Sequence, residues 1–424
     1  MYTGGNLLKK IFVMCTLIVL IIAGCSKVGP VQKENIKLSI GAVGGTMEEF
    51  QTIINNTFPN YEITYEFLLY NEIESLYEEK KLPDIILDTD SATIPPHLRD
   101  KFNTDLSPFI SKENVDLTQF APALLERNSG ENGELYALPV QRILTALYYN
   151  KAPFDAFDIP YPTDGMTWDE VILLASRFSD FPNGSKYVGL DLVSGNGVQM
   201  LLDQYNVTYL DPQTDQFKSS SELLEVLQKI DEVYEKNGNR PTRSFLSFPD
   251  GFLKHGTTAM YAGVLGDPIV QGAANNQDID LVTFPRVDAS SNMGSGTRAV
   301  SVHINSESEN KESAFEIVKY LVTVELQKFL VENGGGSVLN EFPHNDDFGK
   351  NISELHNKNV KALFQMDLPE LDRPSKYEWI AYQGAGPLLA ELIMGTKSVD
   401  DVMDEMESAV NEVVIAAKAK EVEE

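Results

Sequence analysis

The residues able to do chemistry form few ordered groups in this 424-residue chain. Its five histidines, His97, His255, His303, His344 and His356, are scattered, and no two have the HExxH spacing of a zinc-binding helix. Neither a GxSxG elbow nor a GxxxxGKS or GxxxxGKT phosphate loop occurs. The 63 acidic residues supply any carboxylate spacing, so paired acids for glycoside hydrolysis are neither indicated nor excluded. More informative groups stand where extended segments end. Thr46 follows the Gly44-Gly45 turn, and Asp88 and Asp90 follow the short apolar run Ile85-Ile86-Leu87. Gln141 and Arg142 follow Leu135-Tyr136-Ala137-Leu138-Pro139, and an arginine so placed can fork onto a carboxylate or phosphate, or donate to a hydroxyl. Gly294-Ser295-Gly296 lies between two strand-like runs, where glycines let backbone amides come close to a ligand. This GxG lacks the rest of a dinucleotide fingerprint and does not indicate a nucleotide.

The elements that must position these groups are read from hydrophobic period. Ile36, Leu38 and Ile40 alternate as in a strand, Met47, Phe50, Ile53, Ile54 and Phe58 recur at helical spacing, and Ile63, Tyr65 and Phe67 alternate again. A polar helical stretch over Asn71 to Lys81 and the strand at Asp84 to Leu87 complete a βαβαβ order, which predicts a parallel α/β sheet with ligands beyond the carboxyl ends of its strands. Thr167-Trp168-Asp169-Glu170 has capping-box spacing, and Trp168 is expected to pack at that helix start. Ser219 to Glu222 opens another capped helix, Thr258 to Gly263 and Ala299 to Ile304 read as strands, and a final acidic helix begins at Ser398. No internal repeat or low-complexity block interrupts this order.

Charge narrows the partners. With 34 basic against 63 acidic residues the net charge is −29, which argues against nucleic acid, whose binding draws on cations neutralising phosphate. An anionic membrane surface also repels such a body. The 21 Phe and 17 Tyr exclude a wholly disordered acidic chain. Lys9 and Lys10 precede an apolar run from Ile11 to Ala23, broken only by Thr16, that is short for a membrane span and reads as a signal peptide.

That run ends in Ile22-Ala23-Gly24-Cys25, which resembles the lipobox of bacterial lipoproteins. The resemblance implies a signal peptide over 1–24, lipid attachment at Cys25, a tether over 25–35 and a body held on the outer face of the cell membrane. Removal of 1–24 would take Cys15 and two lysines, making the body two charges more negative and leaving Cys25 as its lone cysteine. A thiol nucleophile, a disulfide framework and a cysteine zinc site then fall away together.

Five further stretches, in order, resemble family 1 extracellular solute-binding proteins, the receptor lipoproteins of ATP-driven sugar uptake. They are Leu135 to Pro139 running into Ala146-Leu147-Tyr148-Tyr149-Asn150-Lys151, Pro162 to Glu170, His255 to Met260 before Gly263, Asn310 to Leu321, and Gly395 to Asp400. The resemblance implies a type II periplasmic-binding-protein fold: two discontinuous α/β lobes with a ligand cleft between them. By motif, lobe one is 36–138 plus 264–309 and lobe two is 139–263 plus 310–424, with crossings near Pro139, Gly263 and Glu309. It implies a monomeric receptor without cofactor or metal, which passes a small ligand, most simply a carbohydrate, to the permease subunits of an ABC transporter.

Sugars present hydroxyl edges and apolar faces, so their sites combine carboxylates or amides with aromatic rings. The resemblance assigns ligand contacts to Asp88 and Asp90, to Asp191 and Asn196 in the Leu190 to Met200 segment, and to Trp379 and Tyr382 as stacking aromatics. Each has a plain alternative: the acids as caps, Arg142 in a salt bridge, Trp379 and Tyr382 in the core. Leu265 stands where many sugar-binding relatives carry tryptophan, and Asp88 where an aromatic is common. A secreted carbohydrate-active enzyme, or the same fold serving an amino acid, peptide, polyamine or anion, stays open; Arg142 is the feature that favours an anion.

Overall fold

The computed structural model describes residues 36–43, 47–69, 72–88, 101–130, 133–178, 187–192, 197–236, 240, 250–264, 268–296, 298–340, 342–368 and 374–423. The chain opens with β1 (Ile36–Val43), α1 (Met47–Thr57), β2 (Tyr61–Leu68), α2 (Ile73–Glu78) and β3 (Ile85–Asp88). β1 pairs in parallel with β2 and with β3, as the βαβαβ order requires. Alternation along the strands gives the sheet two buried faces. Leu38, Ile40, Ala42, Ile85 and Leu87 enter one core, while Val43 and Ile86 enter a second with Leu68 and Phe102.

After α3 (Ser107–Glu113) and α4 (Pro122–Glu126), β4 (Ala137–Arg142) forms the far edge of this sheet and runs on into β5 (Thr145–Asn150), the first strand of another. Ile143 and Leu144 are therefore a crossing, close to the expected Pro139. β5 also alternates: Leu147 and Tyr149 face a core built with α6 (Trp168–Ser176), while Ala146 and Tyr148 face a core on the other side. α5 (Lys151–Phe157) follows β5. The α6 capping box is present, with Thr167 Oγ1 accepting from Glu170 N–H and Glu170 Oε2 accepting from Thr167 N–H. Trp168 is wholly buried and donates to Gln204 at 2.7 Å, so it packs where its helix begins.

The chain continues through β6 (Val188–Asp191), α7 (Gly197–Gln204), α8 (Ser221–Lys236), α9 (Asp250–Leu253), β7 (Thr258–Val264), α10 (Pro268–Ala274) and β8 (Ile279–Val282). The second sheet has the order β6-β7-β5-β8. β9 (Ala299–Ile304) then returns to the first sheet, lying antiparallel between β3 and β4 in the order β2-β1-β3-β9-β4. α11 (Lys311–Leu321) and α12 (Val324–Glu332) cover that sheet. α13 (Glu378–Met394) and α14 (Val399–Glu423) pack on the second.

This topology moves two of the expected lobe boundaries. The 264–309 segment is not one block of the first lobe, because β8 pairs with β5 through Leu147↔Val282 and its neighbours; the return crossing is 283–298 instead of Gly263. Nor does 310 open the second lobe: Ala314, Phe315, Val318 and Leu321 of α11 fill the first core. The third crossing lies between α12 and Phe342: Leu326 and Leu330 of α12 and then Val338 belong to the first core, while Val331 at the end of α12 and Phe342 reach the second.

Candidate functional site

The site is built from the strand ends nearest the crossings. In β4 the pairing with β9 slips between Pro139↔Ser301 and Gln141↔Val300, leaving Val140 as an extra residue. Such bulges re-aim the side chains that follow, here Gln141 and Arg142. The ladder-displaced Val140 carbonyl is taken up by the wholly buried Gln327 of α12, whose Nε2 donates to it at 2.7 Å while its Oε1 accepts from Val338 N–H at 2.9 Å. Beyond the bulge, Arg142 N–H donates to the Gly336 carbonyl at 2.8 Å. A Cβ at Gly336 would stand 2.4 Å from the Arg142 carbonyl, so this backbone approach requires that glycine.

Arg142 is half-buried, and burial, the one cause at work, lowers its pKa to about 10. Its Nε is enclosed with no acceptor, and among the described residues no carboxylate pairs with it. Gln141 is half-buried too, and its Oε1 has no donor.

Next to this pair, Ile143 N–H donates to the Arg298 carbonyl at 2.9 Å. The Arg298 side chain reaches Asp203 of α7 at 3.3 Å, and Gln199 also donates to Asp203. Ser295 Oγ donates to Thr145 Oγ1 at 2.9 Å, and the adjoining Gly294 N–H is bound by the Asp367 carbonyl. Ser295 and Gly294 are buried, so the GxG segment spends these groups on holding the return crossing to β5.

On α13, Trp379 and Tyr382 are three residues apart on one face and stack at 5.3 Å with 24° between their planes. Burial raises the Tyr382 pKa, Arg298 opposes that and Asp203 adds to it, so the Tyr382 hydroxyl lies within electrostatic reach of the Asp203–Arg298 ion pair. Tyr209 meets Tyr382 at 6.4 Å. Trp379 Nε1 is buried with no acceptor, although the ring is half-exposed. Glu378 accepts from Tyr209 N–H at 2.5 Å and Leu210 N–H at 3.3 Å; desolvation nevertheless pushes its carboxyl up to about 7.

The structure thus links Gln141, Arg142, Ser295, Trp379 and Tyr382 through consecutive contacts, and adds Asp203, Arg298 and Thr145, which sequence reasoning missed. A charged residue inside the apolar run Met200-Leu201-Leu202-Asp203 was the available signal. Asp88 closes β3 wholly buried, and Asp191 closes β6 opposite Tyr261, whose phenol pKa burial and then Asp191 push up. Thr46, Asp90, Asn196, Leu265 and Cys25 lie outside the described residues. A depression of about 710 Å³ beside Lys80, Asp84, Asn305 and Glu309 lies where β3 begins, the opposite end from Asp88. Its Asp84 is committed to Ser39 and Ser308, and ligands of such sheets gather at the other end. Among the described residues no group of three or more His, Cys, Asp or Glu side chains could hold a metal ion, and no helix is long and apolar enough to cross a membrane.

Residues 44–328, more than half of the chain, match the family described as bacterial extracellular solute-binding protein. The chain belongs to that family. Its fold is that of solved binding proteins. An ABC substrate-binding protein from Listeria monocytogenes, in complex with cycloalternan, superposes with a TM-score of 0.73 at 16% identity, over 90% of this chain and 99% of that one. A solute-binding protein from Thermotoga lettingae bound with alpha-D-tagatose gives 0.70 at 19% identity, over 89% and 99%. The cyclic alpha-maltosyl-1,6-maltose binding protein of Arthrobacter globiformis gives 0.68 at 17% identity, over 89% and 98%. This solute-binding protein has the type II two-lobe fold, and Gln141, Arg142 and Arg298 stand at or next to segments that run from one sheet to the other.

Proposed function

We propose that this solute-binding protein is the receptor of an ABC-type uptake system for a sugar or oligosaccharide, and that it has no catalytic activity of its own. The observation that carries the reading is the stacked Trp379–Tyr382 platform beside the Asp203–Arg298 pair at the crossing segments. An aromatic face suits the apolar side of a sugar ring, and the unpartnered Trp379 Nε1 and Gln141 Oε1 suit hydroxyls as acceptor and donor. The saccharide-bound proteins of the same fold support this ligand class.

A ligand touching both lobes favours the closed arrangement by its differential contacts, and the closed form docks on a permease driven by a separate ATPase. The body works as a monomer, tethered by lipid at Cys25 after removal of 1–24. The additional contribution of Asp88, Asp90, Asp191, Asn196, Thr46 and Leu265 belongs to this reading. A thermal-shift panel of oligosaccharides, monosaccharides, amino acids and inorganic anions tests it, because a tight ligand raises apparent stability by mass action. Saccharides are expected to raise the melting temperature; a response confined to amino acids would overturn the ligand class. For the anchor, Cys25→Ala is expected to release the protein to the medium or leave it unprocessed, and unchanged size with unchanged membrane retention would contradict it.

A further inference from the structure

Arg142 is the cation of this site that has no counter-charge among the described residues. Its half-buried neighbour in the linked cluster, Arg298, is neutralised by Asp203. Arg240, further off, is held by Asp231 and the Leu392 carbonyl. Arg142 has no such partner among the described residues, in a chain whose 63 acids could have supplied one anywhere. Its backbone is fixed on both sides, by the Val140 bulge clamped through Gln327 and by the Gly336 carbonyl. Burying a guanidinium costs free energy that an ion pair would offset, so a fixed, desolvated and unpaired one is costly unless a ligand completes it.

We propose that the saccharide taken by this receptor carries an oxyanion, a uronate carboxylate or a phosphate or sulfate ester, and that Arg142 binds it through its guanidinium fork. The proposal rests on the saccharide reading above and deepens it. Division of labour follows from the groups present: Trp379 and Tyr382 take a ring face, Gln141 and Trp379 Nε1 take hydroxyls, and Arg142 takes the charge. The net charge of −29 opposes the approach of an anion at long range, so added salt raises the association rate while leaving the enclosed contact. Such a receptor discriminates by charge because a neutral sugar leaves Arg142 buried and unpaired.

The test is isothermal titration calorimetry on the full chain in mild detergent, using matched neutral and uronate di- and trisaccharides, glucose 6-phosphate, galactose 6-sulfate, and free phosphate and sulfate. The tightest ligand is expected to be an acidic saccharide, bound about 10- to 100-fold more tightly than its neutral match. Arg142→Gln is expected to erase that ratio and Arg142→Lys to reduce it, with circular dichroism confirming that both fold. The ester and uronate arms distinguish the source of the oxyanion. A neutral saccharide as tightest ligand, or a ratio that survives Arg142→Gln in folded protein, overturns the assignment to Arg142 while the saccharide reading stands. Binding of free phosphate or sulfate with no saccharide, or binding of none of these, overturns both.

Discussion

Glu378 shows how a single side chain near the platform writes pH into the whole protein. Its carboxyl titrates near 7 in the fold, above the usual carboxylate range, because desolvation outweighs the two backbone N–H groups that favour its charged form. Between about pH 4.5 and 7 the native state therefore holds a proton that the unfolded chain has lost, and stability falls as pH rises through that window. Glu378→Gln keeps an acceptor for Tyr209 N–H and removes the titration. It is expected to flatten this slope and to raise stability at pH 8 by on the order of 1 kcal/mol, read by urea denaturation at several pH values. Arg142→Gln is expected to raise the stability of the unliganded protein by about 1 kcal/mol, since it removes a half-buried charge with no ion-pair partner among the described residues; a loss of stability would mark Arg142 as a structural residue. Tryptophan emission offers a third check. Of the two tryptophans, Trp168 is wholly buried and bonded to Gln204, so a saccharide-induced emission change should come from Trp379 and vanish in Trp379→Phe.

At the scale of elements, the bulge of β4 depends on α12. Gln327→Leu would leave the Val140 carbonyl and Val338 N–H buried without partners, and is expected to cost about 2 kcal/mol in chemical denaturation. Because the bulge aims Gln141 and Arg142, the same variant should weaken ligand binding even where it folds; unchanged affinity would detach the bulge from the site. These elements also show what a sequence can convey. The capping box at Thr167 and Glu170, the start of α14 at Ser398, and the alternating faces of β1 were legible because their signals lie within a few residues. The bulge was not legible, since the groups that hold it are 187 residues apart. Nor was the Asp203–Arg298 pair, whose members are 95 residues apart and sit in segments that read locally as a helix and a loop. Arg142 itself was visible as a candidate, but that no counter-charge meets it among the described residues is a matter of packing that local pattern does not carry.

On the scale of the whole molecule, family and fold class were accessible from ordered motifs, while the lobe boundaries were not. The apolar runs of β8 and α11 fit either lobe by pattern, and only pairing with β5 and packing in the first core decide between them. The corrected division gives three crossings, at 143–144, within 283–298 and between α12 and Phe342, and the first two run beside the linked site residues. Under the proposed capture at these residues, a ligand would touch groups anchored in both lobes and its binding would be coupled to their relative position. Small-angle X-ray scattering of the purified protein, with and without a saturating saccharide from the thermal-shift panel, tests this most directly. The radius of gyration is expected to fall on saturation; a saccharide that demonstrably binds yet leaves it unchanged would contradict capture between the lobes.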